Sequence, residues 1–171
     1  MLIRDARPAD FPAILGLNET FVAVLSPMDR QRLEHLHGEA ALHRVMEQDG
    51  EVTAFLLALR EGADYDSPNY RWFAQRHPRF LYVDRVVVSG SQQARGAGTR
   101  LYRDLHGFAI REGVPLMTCE FDIEPPNLAS QQFHERLGFR ELGRQVLGGG
   151  RKVVSLQGLE VGTGDTPLAA S

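Results

Sequence analysis

The spacing of apolar positions changes along the chain, and each change marks an element. Leu2 to Arg7 alternates apolar and charged residues, as a short strand does. Pro8-Ala9-Asp10 ends that run, and Asp10 is the expected N-cap of a helix reaching about Leu25. Its apolar face would carry Phe11, Ile14, Leu15, Leu17 and Phe21. Pro27 interrupts the pattern, and Asp29 is placed to cap a second helix bearing Leu33, Leu36 and Ala40. His43–Gln48 and Val52–Arg60 then flank Asp49-Gly50, a strong hairpin signal. The second of these runs is apolar almost throughout, which predicts a strand in the middle of the sheet.

Residues 61–79 break the pattern and predict a long loop, holding the sole tryptophan and two tyrosines. Leu81–Val88 reads as a buried strand, with a small-residue turn after it. From Gly98 the period becomes helical, with Leu101, Leu105, Phe108 and Ala109 on one face. Pro115–Ile123 predicts a fifth strand, stopped by Glu124-Pro125-Pro126. A helix opening at Asn127 and closing at Gly138 follows. Ala129, Phe133 and Leu137 are its expected core stripe, with Asn127, Ser130, Gln131 and His134 on the adjoining face, His134 as a half-buried surface histidine. Phe139–Leu147 and Lys152–Leu159 pair across three glycines as a last hairpin. The whole predicts a mixed, mostly antiparallel α/β domain over residues 1–160, with 161–171 as a flexible tail.

Composition narrows the function. At 171 residues the chain fits one domain. A net charge of −3 argues against a nucleic-acid partner. Cys119 is the sole cysteine, so no intrachain disulfide can form, and its apolar run marks it as a core residue. With no run of about 20 apolar residues and no signal-peptide core, no membrane association and a cytoplasmic location are expected.

The chemistry gathers around Gln93-Ala94-Arg95-Gly96-Ala97-Gly98-Thr99, between a strand and a helix. Unpaired first-turn amides and the positive end of a helix dipole favour phosphate there. A lone Gly-x-Gly is a weak signal. It is not a P-loop, and it lacks the third glycine of a dinucleotide fingerprint. It resembles, however, the acyl-CoA signature Gln/Arg-x-x-Gly-x-Gly/Ala of the GCN5-related N-acetyltransferases (GNAT). The segment from Asn127 to Phe139 resembles a second motif of that superfamily, Asn-x-x-Ala/Ser-x-x-Phe-Tyr-Glu-x-x-Gly-Phe. Two motifs in the right order are far more specific than one.

The resemblance implies the GNAT fold, a twisted sheet of about seven strands splayed between the fourth and fifth, and acetyl-CoA as cosubstrate with no metal. It implies that the backbone of Val86, Val87 and Val88 meets the thioester and pantetheine, and that the amides of Gln93 to Thr99 hold the pyrophosphate. Asn127, Ser130, Phe133 and Arg136 would complete the cofactor contacts. His134 occupies the position where the family usually has a tyrosine that protonates the departing thiolate, which is a real departure. At pH 7 that step is downhill by roughly 2 kcal/mol for a thiol of ordinary acidity, so a specialised acid is helpful rather than indispensable, and His134 could supply it when charged or as a neutral N–H donor. Freeing the lone pair of a lysine-like amine instead costs about 4.6 kcal/mol, and a base should lower it. Asp84 and Glu120 are the candidates, with Glu120 ahead because Asp84 adjoins Arg85.

The expected reaction is direct acetyl transfer to a primary amine, through a tetrahedral intermediate. A small-molecule acceptor is preferred, facing Tyr65, Asp66, Asn69, Tyr70, Arg71 and Trp72, with Asn18, Glu19 and His37 on the first two helices. The alternatives are a non-catalytic acyl-CoA-binding module and an amino-terminal protein acetyltransferase. Many relatives are dimers, so a homodimer is an analogy. Gly96→Glu puts bulk and charge where pyrophosphate would lie, and should abolish CoA binding in a calorimetric titration, whereas Gln93→Ala should weaken it only mildly. An unimpaired affinity in Gly96→Glu would sink the phosphate-loop assignment.

Overall fold

The computed structural model describes residues 1–23, 25–162 and 168. Most of the expected tail therefore lies outside the described residues. Seven strands and six helices are formed among the described residues. The strands hydrogen-bond in the order β1-β2-β3-β4-β5-β7-β6; the β1–β2, β2–β3, β5–β7 and β6–β7 pairs are antiparallel and β4–β5 is parallel. Two compact units share the chain: Met1–Asp64 with Val83–Leu105, and Tyr65–Tyr82 with the residues from His106 onward.

The first unit holds β1 (Leu2–Asp5), β2 (Leu42–Gln48), β3 (Glu51–Arg60) and most of β4 (Leu81–Val88). Asp49 and Gly50 turn the β2–β3 hairpin with φ of 53° and 83°, the positive pair that a two-residue turn of this hand requires. Ala54 to Leu59 are wholly buried, as a central strand predicts.

Helix α1 (Phe11–Thr20) is shorter than expected, and Asp10 does not cap it. Arg4 takes both Asp10 carboxylate oxygens, at 2.8 and 2.9 Å, and the Arg7 amide donates to Asp10 Oδ2 at 2.8 Å. A carboxylate committed to a guanidinium has no oxygen aimed at the helix. Asp29 does cap α2 (Arg30–Glu39), accepting from the Arg32 amide at 2.8 Å.

The second unit corrects the long loop of 61–79. Ser67 accepts from the Tyr70 amide and opens α3 (Pro68–Ala74), with Pro68 in the first turn. Tyr70 and Phe73 are buried and pack with Phe80 and Tyr82, at centroid separations of 5.6 to 6.3 Å. Aromatic burial thus pulls this segment into a helix although its turn signals read as a loop. Trp72 lies so close to Gly143 that a Cβ added there would meet the indole at 2.5 Å. Asn69 Oδ1 accepts from the Gln145 side chain at 3.1 Å.

After α4 (Gly90–Gln93) and α5 (Ala97–Arg111), the chain continues through β5 (Leu116–Glu124), α6 (Leu128–Leu137), β6 (Arg140–Leu147) and β7 (Lys152–Glu160). Leu101, Leu105 and Ala109 of α5 are buried as expected. In α6 the buried positions are His134 and Leu137, whereas Ala129 is exposed. The expected stripe of Ala129, Phe133 and Leu137 is therefore rotated, because the imidazole fills an aromatic slot better than Ala129 can. Among the described residues, no helix is long and apolar enough to cross a membrane.

Asp10→Ala should destabilise the chain more than Asp29→Ala. The second loses one exposed cap, about 1 kcal/mol, or some 2–4 °C in Tm for a chain of this size. The first leaves part-buried Arg4 without that carboxylate and the Arg7 amide without its acceptor. Thermal denaturation of the two variants checks the order.

Candidate active site

In the first unit, β4 ends at Val88 and hands the chain to a loop built for close approach. The Ser89 amide donates to Thr53 O at 2.9 Å, tying the strand end to β3. Gln93 folds back, and its amide donates to Val88 O at 3.2 Å. Gly96 adopts φ 72°, a left-handed conformation, and a Cβ on it would meet no atom within 4 Å. Directly after it Ala97, Gly98 and Thr99 open the 15-residue α5, so their amides belong to the orphan first turn. A glycine bend with open space ahead of a helix N-terminus fits a pyrophosphate. Val86, Val87, Val88, Ala94 and Arg95 all belong to this same unit.

Asp84 also lies here, but it is already engaged. Arg85 Nε is 2.6 Å from Asp84 Oδ2, and both side chains are only 4% exposed. The same guanidinium donates to Asn18 Oδ1 at 2.9 Å and to Ser26 O at 3.2 Å. Asn18, a candidate for the acceptor wall, is thus buried as a partner of Arg85. His37 shares a 2.8 Å contact between Nδ1 atoms with His43, beneath Phe11 and Phe55. Burial, then the nearby His37, pushes His43 down to about 4. Glu19 is exposed.

The second unit holds the other candidates. Glu120 stands on β5, and Tyr82 donates its hydroxyl to Glu120 Oε1 at 2.9 Å. Sequence reading overlooked Tyr82. Its signal was a phenol in an apolar strand, where a buried hydroxyl needs an acceptor. Cys119 beside it is 2% exposed, and burial foremost, then the charge of Glu120, pushes its thiol up. It is a core residue, as the sequence implied.

Asn127 caps α6, its Oδ1 accepting from the Ser130 amide at 3.2 Å. His134 is 4% exposed rather than half-buried. Phe121 stacks on it, while Phe133 and Phe139 meet it edge-on at 5.1 and 5.4 Å. Its Nδ1 lies 2.7 Å from Ser130 O, so Nδ1 carries the proton and donates. Burial holds the ring down at about 4, only partly opposed by that carbonyl, so it is neutral at pH 7. Arg136 is exposed and Phe133 half-buried. Of the acceptor candidates, Tyr70 is buried, Tyr65 packs on it at 5.6 Å, and Arg76 covers Trp72 at 4.0 Å. Asp66 and Arg71 belong to the same segment. Among the described residues, no cluster of three or more His, Cys, Asp or Glu could hold a metal ion.

Residues 9–139 match the Acetyltransferase (GNAT) family. The chain belongs to that family. Solved structures share its fold: the ribosomal-protein-S18-alanine N-acetyltransferase from Escherichia coli, at TM-score 0.71 and 19% identity, covers 96% of this chain and 97% of its own. Ribosomal-protein-alanine N-acetyltransferase from Brucella melitensis follows at 0.69 and 24%, covering 94% and 99%. The yncA protein from Salmonella typhimurium, solved with its cofactor acetyl-CoA, stands at 0.70 and 23%, covering 99% of both chains. No curated protein sequence matches the chain. As a GNAT acetyltransferase the chain takes acetyl-CoA as cosubstrate.

The buried His134 makes this GNAT protein acid-sensitive. The folded ring binds its proton only near pH 4, whereas an unfolded histidine does so near 6.5. The unfolded state therefore holds more protons in between, and stability is full above pH 6.5 and falls as the pH drops toward 4. The loss from this ring is on the order of 3 kcal/mol. His134→Asn keeps an amide donor for Ser130 O without a titrating group. Urea unfolding at a series of pH values should give a shallower acid decline for this variant.

Proposed function

We propose that the protein transfers an acetyl group from acetyl-CoA directly to a primary amine, with Glu120 as the base. The carboxylate of Glu120, on β5 and fixed by Tyr82, is the observation that carries this reading. Asp84 is the weaker candidate because its charge is spent on Arg85. The amine nitrogen attacks the thioester carbonyl as its proton passes to the base, and the tetrahedral intermediate collapses with loss of CoA thiolate. The Val88 amide would polarise the carbonyl, and the amides of Gly96 to Thr99 would hold the pyrophosphate, because those of Gln93, Ala94 and Arg95 already donate within the loop. An oxyanion donor of this kind is typically worth ~2.7–4 kcal/mol of barrier.

His134 has a lesser part in this reading. Moving its proton from Nδ1 to Nε2 would forfeit the 2.7 Å bond to Ser130 O. Thiolate protonation is downhill by roughly 2 kcal/mol, so water suffices as the proton source.

The acceptor would be a small amine facing the segment of Tyr65, Asp66, Asn69, Tyr70 and Trp72, where aromatic and acidic groups suit a cation. A protein amino terminus is the second reading, favoured by the carboxylate on β5 and by the fold shared with two ribosomal-protein-alanine N-acetyltransferases.

Calorimetry with acetyl-CoA, followed by thiol release with amino acids, polyamines, an aminoglycoside and a peptide with a free amino terminus, tests both readings. Turnover is expected with at least one amine class, and Glu120→Gln should lower kcat/KM by about 10²–10⁴-fold. Binding without turnover on any amine would favour a non-catalytic acyl-CoA module.

A further inference from the structure

The register of the second unit explains how Tyr82 reaches Glu120. β4 and β5 run parallel with Tyr82 opposite Thr118, and Glu120 lies two residues on, on the face of Thr118. Glu120 is thus the diagonal neighbour of the phenol, a distance that a long side chain spans. Tyr82 is 1% exposed, and its ring is held edge-on by Tyr70 at 5.6 Å and tilted against Phe73 at 5.8 Å. A phenol wedged in this way offers an O–H whose direction is set before any substrate arrives.

The Glu120 side chain is half-buried. β7 places Leu156 opposite it. Along β5, Cys119 remains a neutral thiol, and the charge of Asp122 is answered by Lys152 at 3.3 Å.

We propose that Tyr82 is a positioning residue: its hydroxyl fixes the Glu120 carboxylate in one rotamer and keeps it ionised, ready to receive the acceptor's proton. This rests on the reading of Glu120 as base. The proton passes from the attacking amine nitrogen to Glu120, and Tyr82 keeps its own proton throughout, since a phenol is a far weaker acid than a carboxyl.

The test follows Glu120 itself. In protein labelled with carbon-13 at the glutamate side-chain carboxyl, the resonance missing from Glu120→Gln identifies Glu120, and its pH titration is recorded without substrate. Tyr82→Phe should raise the midpoint by about one pH unit, because removing a donor to the charged form disfavours that form. Replacing the four tyrosines with 3-fluorotyrosine strengthens the donor without changing the fold, and should lower the midpoint. CoA affinity should stay at the wild-type level in both. In turnover with whichever amine of the panel reacts, the acid limb of Tyr82→Phe should move the same way, and Tyr82→Phe combined with Glu120→Gln should be no slower than Glu120→Gln alone. Midpoints unmoved in both tyrosine variants overturn the proposal. A Glu120→Gln enzyme with full turnover overturns the base assignment instead, while the titration still decides the coupling of Tyr82 to Glu120.

Discussion

A charged or hydrogen-bonding group carried into an apolar strand has to be answered there, and β4 and β5 carry several. Arg85 is 5% exposed, and an unanswered guanidinium at that depth would cost several kcal/mol. Its oxygen partners include Asp84 on β4, Asn18 on α1 and the Ser26 carbonyl in the segment that follows. The end of α1 and the chain that follows are thereby set against the strand. Burial alone would accept many positions for those segments; a planar donor fork accepts few. In the second unit the same constraint joins Tyr82 to Glu120.

That constraint also separates what could be read in the sequence from what could not. Local signals carried far: Asp49-Gly50, the Asp29 cap, the Asn127 cap and the left-handed Gly138 each act through neighbours a few residues away. The two motifs placed the family and its fold for the same reason. Long-range partnerships escaped. Asp10 reads as a helix cap until Arg4 claims it, and residues 61–79 read as loop until Tyr70 and Phe73 find a core. Tyr82 was invisible because the residue that gives its hydroxyl a purpose lies 38 positions away. The depth of His134 is hidden too, because it depends on Phe121 and Phe139 as much as on its own helix.

The histidine where relatives usually have a tyrosine is not a like-for-like exchange. A phenol presents one rotatable O–H at the end of a long ring. This imidazole turns its single proton back to the Ser130 carbonyl and spends its bulk on three aromatic neighbours. Its residence is therefore a packing solution first. Any part it takes in chemistry is limited by a proton already committed to the backbone.

The contact between Trp72 and Gly143 links the history of two distant stretches of sequence. The indole occupies the volume that any side chain at 143 would need, so position 143 cannot gain one unless Trp72 moves or shrinks. A methyl group at position 143 requires the indole to shift or give way to a smaller side chain, while buried Tyr70 and Phe73 keep α3 in its place.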